Sequence, residues 1–436
     1  REYQVDALRW SDTVQHPGFF HDKRLGKCLV CFRYLKRRRI NRPVLIMTTT
    51  SAFDGWIKDA KIEGFNNIIE IDGTSKQRLK ILMDGLKTKN PVFLYNKEGW
   101  KSLQEIKDIN WAALVLDESR FIANPKSQVS KFFTKNFRDV DHRMILTGTP
   151  DFKNKLDYFQ QLFFLNNNNL PYRDYWDFRT KAFFNVGYEF VIKKHHSNIL
   201  QKSLSNNIHS LTRKELNLGR TKVYERRFVK LPPAIQKSYN TLEQQYVLEY
   251  DNKVISKHIY ATTTHIQLMR MLGGHINGKL VHKIKVKDLK YLLNNDLLNE
   301  QVVVLCRFTE ELLMLKEQFK KDKPVLLYGD TPRAARKKIK RDFLDGKIMK
   351  LFAQSSVIAH GTDLSSAETL IFYSQPNGDE LRSQVEDRII TLADDKQVLI
   401  IDILIKDSVD FDARESYITG ESQRDTFNKA VKRWKN

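Results

Sequence analysis

The chain has 436 residues, 41% hydrophobic and 11% aromatic, enough for two or three cores and too apolar for a disordered basic tail. Its 74 Lys and Arg against 52 Asp and Glu give a formal charge of +22, which points to a polyanionic partner, nucleic acid before a membrane surface. No run approaches the roughly 18 apolar residues of a membrane span, and the first residues carry no apolar signal region. Three cysteines (Cys28, Cys31, Cys306) are too few for a disulfide framework, so a protein of a reducing compartment is expected.

In chain order, the residues predict a helix over 27–39 and strands over 44–48, 113–117 and 144–147. A middle section over about 151–290 is aromatic, basic and helix-like, with an asparagine tract at 166–169 that reads as a solvated loop. Strands follow over 302–306, 350–354, 369–373 and 398–403, with helices over 312–321 and 333–343. Continuous apolar runs of this length suit strands buried on both faces, and their alternation with helices is the pattern of parallel α/β sheets. The expected fold class is therefore α/β, as two parallel-sheet lobes with helical insertions.

Three strand ends carry residues suited to phosphate chemistry. Arg24-Leu25-Gly26-Lys27-Cys28 opens the first helix, where backbone N–H groups and an ammonium can meet phosphates. It departs from the usual phosphate-loop pattern at His21, where the first glycine would stand, and at Cys28, where a hydroxyl would. Asp117-Glu118 closes an apolar strand, which suits one acid for Mg²⁺ and a neighbour for orienting a water. Another apolar run ends in Thr147-Gly148-Thr149-Pro150, so three loops could converge on one phosphate site. Cys28-x-x-Cys31 has no second ligand pair at zinc spacing and falls with Phe32 and Leu35 on one helical face, the reading of an apolar face. His195-His196 and the basic run 36–39 read as solvated surface. Arg333, Arg336, Lys337, Lys340 and Arg341 line one helical face, the stripe that tracking a nucleic-acid backbone needs, with an internal role for Arg336 as the competing reading.

The order Gly26-Lys27, Asp117-Glu118, Thr147-Gly148-Thr149-Pro150 resembles the first lobe of a superfamily 2 helicase of the Swi/Snf-like branch. Tyr3-Gln4 resembles that family's adenine-contacting glutamine segment, Ser51-Ala52-Phe53 with Trp56 the segment after the second strand, and Asn124-Pro125-Lys126-Ser127 the turn after the acid pair. Leu211-Thr212-Arg213-Lys214, Leu231-Pro232 with Gln236 and Tyr239, and Gln267-Leu268-Met269-Arg270 resemble the segments joining the lobes. Arg307-Phe308-Thr309, Tyr328-Gly329-Asp330, the stretch from Ser355 through Gly361-Thr362-Asp363-Leu364, and Gln384-Val385-Glu386-Asp387-Arg388 resemble the second lobe's motifs. The chain departs from the family at Cys28, at Arg120 where His is frequent, at Asp363 where Asn is frequent, and at Thr391 where a second arginine is usual.

The resemblance implies two RecA-like lobes, 1–225 with a helical protrusion at about 151–210, and 226–436 with another at about 231–290. It implies ATP and Mg²⁺, with Gln4, Arg24, Leu25, Gly26, Lys27, Cys28, Gly361 and Asp363 about the nucleotide and Asp117 and Cys28 toward the metal. Lys27, Asp117, Glu118, Gln384 and Arg388 are the catalytic candidates, and Thr147, Gly148 and Thr149 the coupling residues. Thr48, Ser51, Arg307, Thr309 and Ser355, with Arg333, Arg336, Lys337 and Lys340, are expected to touch the DNA backbone without reading sequence. The expected protein is a monomeric ATP-dependent DNA helicase or translocase of the cytoplasm, the host's if viral, with no membrane partner. Its compact basic chain resembles tailed-phage enzymes that migrate forks and four-way junctions in recombination, replication and repair. Two alternatives stand beside it: a duplex translocase that strips or remodels bound protein, and a lapsed ATPase, marked by Cys28 and Thr391, that persists as a DNA-binding scaffold.

Overall fold

A computed structural model describes residues 1–148, 155–166, 170–186, 189–216, 218–251, 255–276, 279–359, 362–391, 394 and 396–419. The chain forms two compact units, Arg1–Leu218 and Gly219–Asn436.

The first unit begins α1 (Glu2–Ser11), β1 (Gly18–His21), α2 (Lys27–Arg37), β2 (Val44–Thr48), α3 (Phe53–Ile62) and β3 (Ile68–Ile71). It continues α4 (Ser75–Gly85), β4 (Val92–Asn96), β5 (Ala113–Asp117), α5 (Gln128–Asn136) and β6 (His142–Thr147). Then come α6 (Asp157–Asn166), α7 (Tyr175–Ala182), β7 (Phe183–Val186), β8 (Glu189–Ile192), α8 (Lys194–Asn207) and β9 (Ile208–Leu211). Seven strands make a parallel sheet in the order β3-β4-β2-β5-β6-β1-β9, while β7 and β8 pair separately as an antiparallel hairpin. The central strands are apolar along most of their length because helices cover both faces, so successive side chains enter opposite cores. Phe20, Leu45, Leu114 and Ile145 face one core, and Phe19, Ile46, Val115 and Met144 the other.

The second unit runs β10 (Thr221–Val229), α9 (Pro233–Asp251), α10 (Ile255–Leu272), β11 (His275–Ile276), β12 (Lys279–Leu280), α11 (Ile284–Tyr291), β13 (Val302–Cys306) and α12 (Thr309–Gln318). It ends β14 (Val325–Leu327), α13 (Arg333–Leu344), β15 (Lys350–Gln354), α14 (Ser355–Ala359), β16 (Thr369–Phe372), α15 (Asp379–Glu386), β17 (Gln397–Ile405) and α16 (Val409–Thr419). Its sheet has the order β10-β17-β16-β13-β15-β14, again parallel throughout. Each unit is thus an α/β lobe of the RecA-like kind, flanked by helical insertions.

The middle section is less uniformly helical than its composition suggests. It contains the β7–β8 hairpin, β9 and the nine-residue β10. In β10 the sequence TKVYERRFV carries charges because the strand lies at a sheet edge, and its run of exposed and half-exposed residues hides the strand signal. Residue 225 falls inside this strand. Just before it, the Arg220 guanidinium is pinned to Asp394 at 2.6 and 2.8 Å and to the Ala367 carbonyl at 2.8 Å.

Candidate functional site

The carboxyl ends of β1, β5 and β6 lie side by side, with Asp117 opposite Leu146 and Phe20 opposite Thr147 in register. Loops leaving adjacent parallel strands at this edge share one crevice, the usual ligand position in such sheets. After β1 the chain turns tightly into α2. Arg24 (φ 69°) and Gly26 (φ 76°) both take left-handed backbone, and Gly26 caps the helix. A side chain on Gly26 would collide with the Gln4 amide, which donates to the Leu25 carbonyl at 3.1 Å. Gln4, on α1, is therefore buried against the loop it was expected to serve.

The Lys27 ammonium folds back onto the same loop, donating to the carbonyls of His21 (2.8 Å) and Asp22 (3.4 Å). The loop is braced from β9. The Asp22 carboxylate accepts the Arg213 N–H at 2.9 Å and its own N–H donates to Leu211 O at 2.9 Å. Gly148, the first residue after β6, completes the crevice. A Cβ there would stand 2.8 Å from Lys23 Cγ and 3.4 Å from Lys27 Nζ. Thr147 is buried; Thr149 and Pro150 lie outside the described residues.

Asp117 is buried at the end of β5 and takes three hydrogen bonds. Oδ2 accepts the Thr48 hydroxyl at 2.7 Å and the Trp56 indole N–H at 3.1 Å, and Oδ1 accepts the Glu118 N–H at 3.0 Å. Burial and then the Glu118 charge push its carboxyl above the usual range, against the pull of Thr48, Lys27 and Trp56. Glu118 holds a left-handed backbone (φ 51°), a conformation that costs a non-glycine residue about 1–3 kcal/mol and collects at functional sites. Behind the pair, Ser119 donates to Gln161 of α6 at 2.6 Å, tying the acid loop to the helix after β6.

Thr48 is buried and donates its hydroxyl to Asp117, so it orients the acid. Cys28 sits half-buried in the first turn of α2, and burial followed by the Asp117 and Asp59 charges drives its thiol well above its ordinary value. A neutral thiol is a poor ligand for a hard cation, so Cys28 does not fit the metal role. Among the described residues no three His, Cys, Asp or Glu side chains gather as a metal cage. Mg²⁺ commonly takes only one or two carboxylates, with waters and phosphates completing its shell, and Asp117 and Glu118 fit that pattern. Sequence reasoning quoted Trp56 without assigning it a role. The signal was present: an indole one turn into the helix after a buried strand, in a sheet whose next strand ends in an acid.

In the second unit, Gln384 lies on α15, its amide 3.4 Å from Glu380 Oε1. Arg388 follows the helix, and its guanidinium donates to the Ala359 carbonyl, 3.1 Å from Nε. The Arg388 carbonyl accepts the Leu364 N–H at 3.0 Å, and Asp363 caps the turn at Ser365 N at 2.9 Å, so Arg388 and the segment around Asp363 are brought together. Gly361 lies outside the described residues. Under α15 is a buried ionic network. Arg382 donates to both oxygens of Asp402 (2.6 and 3.0 Å) and to Glu386 (2.9 Å), and Arg414 reaches Asp402 from α16. Burial pushes the Asp402 carboxyl up, but the guanidiniums of Arg382 and Arg414 overcome it and hold the group below the usual range.

The expected DNA contacts divide. Arg333 and Lys337 are exposed on α13 and Lys340 half-buried, but Arg336 is turned inward, donating to the carbonyls of Thr331 (2.7 Å), Tyr328 (3.3 Å) and Gly329. Ser51 and Thr309 are half-exposed. Arg307 is half-buried, donates to Asn377 at 3.1 Å and lies 5.2 Å from the Phe308 ring centroid. Ser355 is buried, its hydroxyl without a hydrogen-bond partner among the described residues.

Comparison with known proteins agrees with this architecture. The family of the SNF2-related domain matches residues 3–278, and that of the helicase conserved C-terminal domain residues 284–392. The chain is 26% identical over 243 residues to the ISWI chromatin-remodeling complex ATPase ISW1 of Saccharomyces cerevisiae, covering 50% of this chain and 21% of that protein. It is 25% identical over 181 residues to the human lymphoid-specific helicase, covering 38% of this chain and 21% of that one. The chain therefore spans about a fifth of the length of these relatives. Among solved structures, the Hef helicase domain of Pyrococcus furiosus shares the fold at a TM-score of 0.55 and 13% identity, over 97% of this chain and 98% of that one. The Sulfolobus solfataricus SWI2/SNF2 ATPase core in complex with dsDNA aligns at a TM-score of 0.45 and 17% identity, over 97% and 91%. With a family match spanning well over half of its length, the chain belongs to the SNF2-related family, in the Swi/Snf-like branch of the superfamily 2 helicases.

Proposed function

We propose that the chain is a DNA-dependent ATPase that moves branched DNA, migrating forks and four-way junctions. The observation that carries the ATPase reading is the convergence of Lys27, Gly148 and the Asp117–Glu118 pair at the carboxyl edge of one parallel sheet. On this reading Lys27 exchanges its two loop carbonyls for the β- and γ-phosphates of ATP, and the loop's left-handed turn at Gly26 turns the helix N-terminus toward them. Asp117 would hold Mg²⁺, which would supply neutralisation of the phosphate charge. Thr48 and Trp56 fix the Asp117 rotamer, which leaves Glu118 to orient the attacking water. By the family pattern Gln384 and Arg388 serve the same reaction, Arg388 stabilising charge on the transferring phosphoryl group. The usual second arginine is Thr391, so Arg388 carries that role alone.

DNA as partner is supported by the +22 charge and by the exposed cations of α13. The branch-migration reading rests on the resemblance to compact phage enzymes. The test is steady-state ATP hydrolysis without DNA and with single-stranded, duplex and four-way-junction DNA, for the natural chain and Lys27→Ala. Stimulation greatest on junctions and absent in Lys27→Ala is expected. Equal stimulation by plain duplex would favour a translocase that clears bound protein, and no turnover on any DNA would leave a scaffold.

A further inference from the structure

The insertion between the crevice and the end of the first unit holds two large aromatic side chains with nearly half of their surface in solvent, Trp176 (45% exposed) and Phe184 (46%). Trp56 and Trp111 of the same unit are about 1% exposed. Both exposed rings are rigidly mounted. Trp176 is in the first turn of α7, whose cap Asp174 accepts the N–H groups of Trp176 (2.8 Å) and Asp177 (2.9 Å). Phe184 stands on the hairpin that follows directly, opposite Val191, on the face away from the packed Phe183–Ile192 pair.

Cations gather at Trp176 and at Phe190, which by strand alternation is on the other face of the hairpin from Phe184. The Lys126 ammonium lies 4.6 Å from the Trp176 centroid, and the Arg179 guanidinium 5.5 Å from Trp176 and 4.2 Å from Phe190. Residues 170–207 contain six Lys and Arg against three Asp and Glu, 6 − 3 = +3. A duplex backbone needs only cations, because its bases are already stacked on each other. Flat, rigid rings bordered by cations match unpaired bases, whose faces are sequence-independent and whose phosphates lie within a side chain's reach.

We propose that the exposed face of α7 is a stacking surface for unpaired DNA bases, with Trp176 supplying the ring and Lys126 and Arg179 meeting the flanking phosphates. This rests on the DNA reading above and deepens it, since a fork or junction offers unpaired bases where a plain duplex does not.

The test measures the affinity of the full chain for an oligothymidylate single strand and for a blunt duplex of equal length, by fluorescence anisotropy at fixed salt. Trp176→Ala is expected to weaken single-strand binding about tenfold or more, and Phe184→Ala, on the other face of the hairpin, to leave it unchanged. Duplex affinity and duplex-stimulated hydrolysis should stay within about twofold, since neither ring belongs to the crevice. Trp176→Tyr should keep most of the affinity. Protein fluorescence quenched by the single strand should be largely lost in Trp176→Phe. A thermal melt of each variant separates a folding defect from a binding one. Unchanged single-strand affinity in folded Trp176→Ala overturns the proposal, as does equal weakening on both DNAs. Self-association abolished by Trp176→Ala with DNA binding unaltered assigns the face to a second copy, and also overturns it. If duplex-stimulated turnover persists while Trp176→Ala changes nothing, the stacking surface fails and the motor stands. If single-strand binding depends on Trp176 but no DNA stimulates turnover, the motor fails and the surface stands.

Discussion

Glu311 shows how one buried carboxyl can govern a loop. It is about 1% exposed, and its Oε2 accepts the N–H groups of Arg307 and Phe308 (both 3.1 Å) and the Ser374 hydroxyl (2.6 Å). Its Oε1 is buried without a hydrogen-bond partner among the described residues. Burial raises its pKa from 4.5 to about 7, with Asp410 adding to the rise and Ser374, Phe308 and Lys285 opposing it. Because the folded value lies above the unfolded one, the native state holds the extra proton. Its contribution to stability is complete below pH 4.5 and is lost as pH rises through about 7. Thermal melts should therefore show a stability loss on the order of 3 kcal/mol between those limits. Glu311→Gln, which keeps the acceptor and cannot ionise, should flatten that fall; a profile parallel to the natural chain's would assign the titration elsewhere. Thr48→Val tests a second residue. Removing the hydroxyl from a buried carboxylate should cost about 1–3 kcal/mol in a denaturant titration, and hydrolysis should drop as Asp117 loses its orientation. The Asp117–Glu118 pair was legible because two acids at the end of an apolar strand are conspicuous. The task of Thr48 was not, because a hydroxyl at a strand end looks the same whether it faces a ligand or the neighbouring strand.

At the scale of elements, what the sequence displays depends on where a strand lies in its sheet. β13, and β2 and β5 up to their last residues Thr48 and Asp117, are apolar because they are interior, and their predicted and observed spans coincide. β9 and β10 are edge strands, and polar residues on them disguise their type. Asp402 interrupts the apolar run of β17; it is the acceptor that holds Arg382 and Arg414, and through Arg382 the helix that carries Gln384. Such a network is costly to break because the surviving partners keep their charge in a dry place. Asp402→Ala should destabilise the chain by roughly 3–5 kcal/mol in urea. Hydrolysis should fall further than the unfolded fraction explains, as α15 loses its anchor.

For the whole molecule, the alternation of strands and helices was enough to read two parallel-sheet lobes, because that pattern leaves few other ways to bury so many apolar runs. The crevice was only partly legible, since no pattern in the residues shows Lys27 folded onto its own loop or Gln4 packed beneath it. The excess of positive charge carries its own expectation. If the protein covers six to ten phosphates, DNA affinity should fall by about 10³–10⁵ between roughly 50 and 200 mM salt, with a linear double-logarithmic plot. A flat plot would mean that the charge serves solubility and not DNA.

The segment between the units is fastened at both ends. Arg213 is bonded to Asp22, whose carbonyl is one of the two that receive the Lys27 ammonium, and Arg220 is clasped by Asp394. The first anchor lies on the turn that cradles Lys27, so a load reaching Arg213 would meet a carbonyl partner of the ammonium through one residue, Asp22.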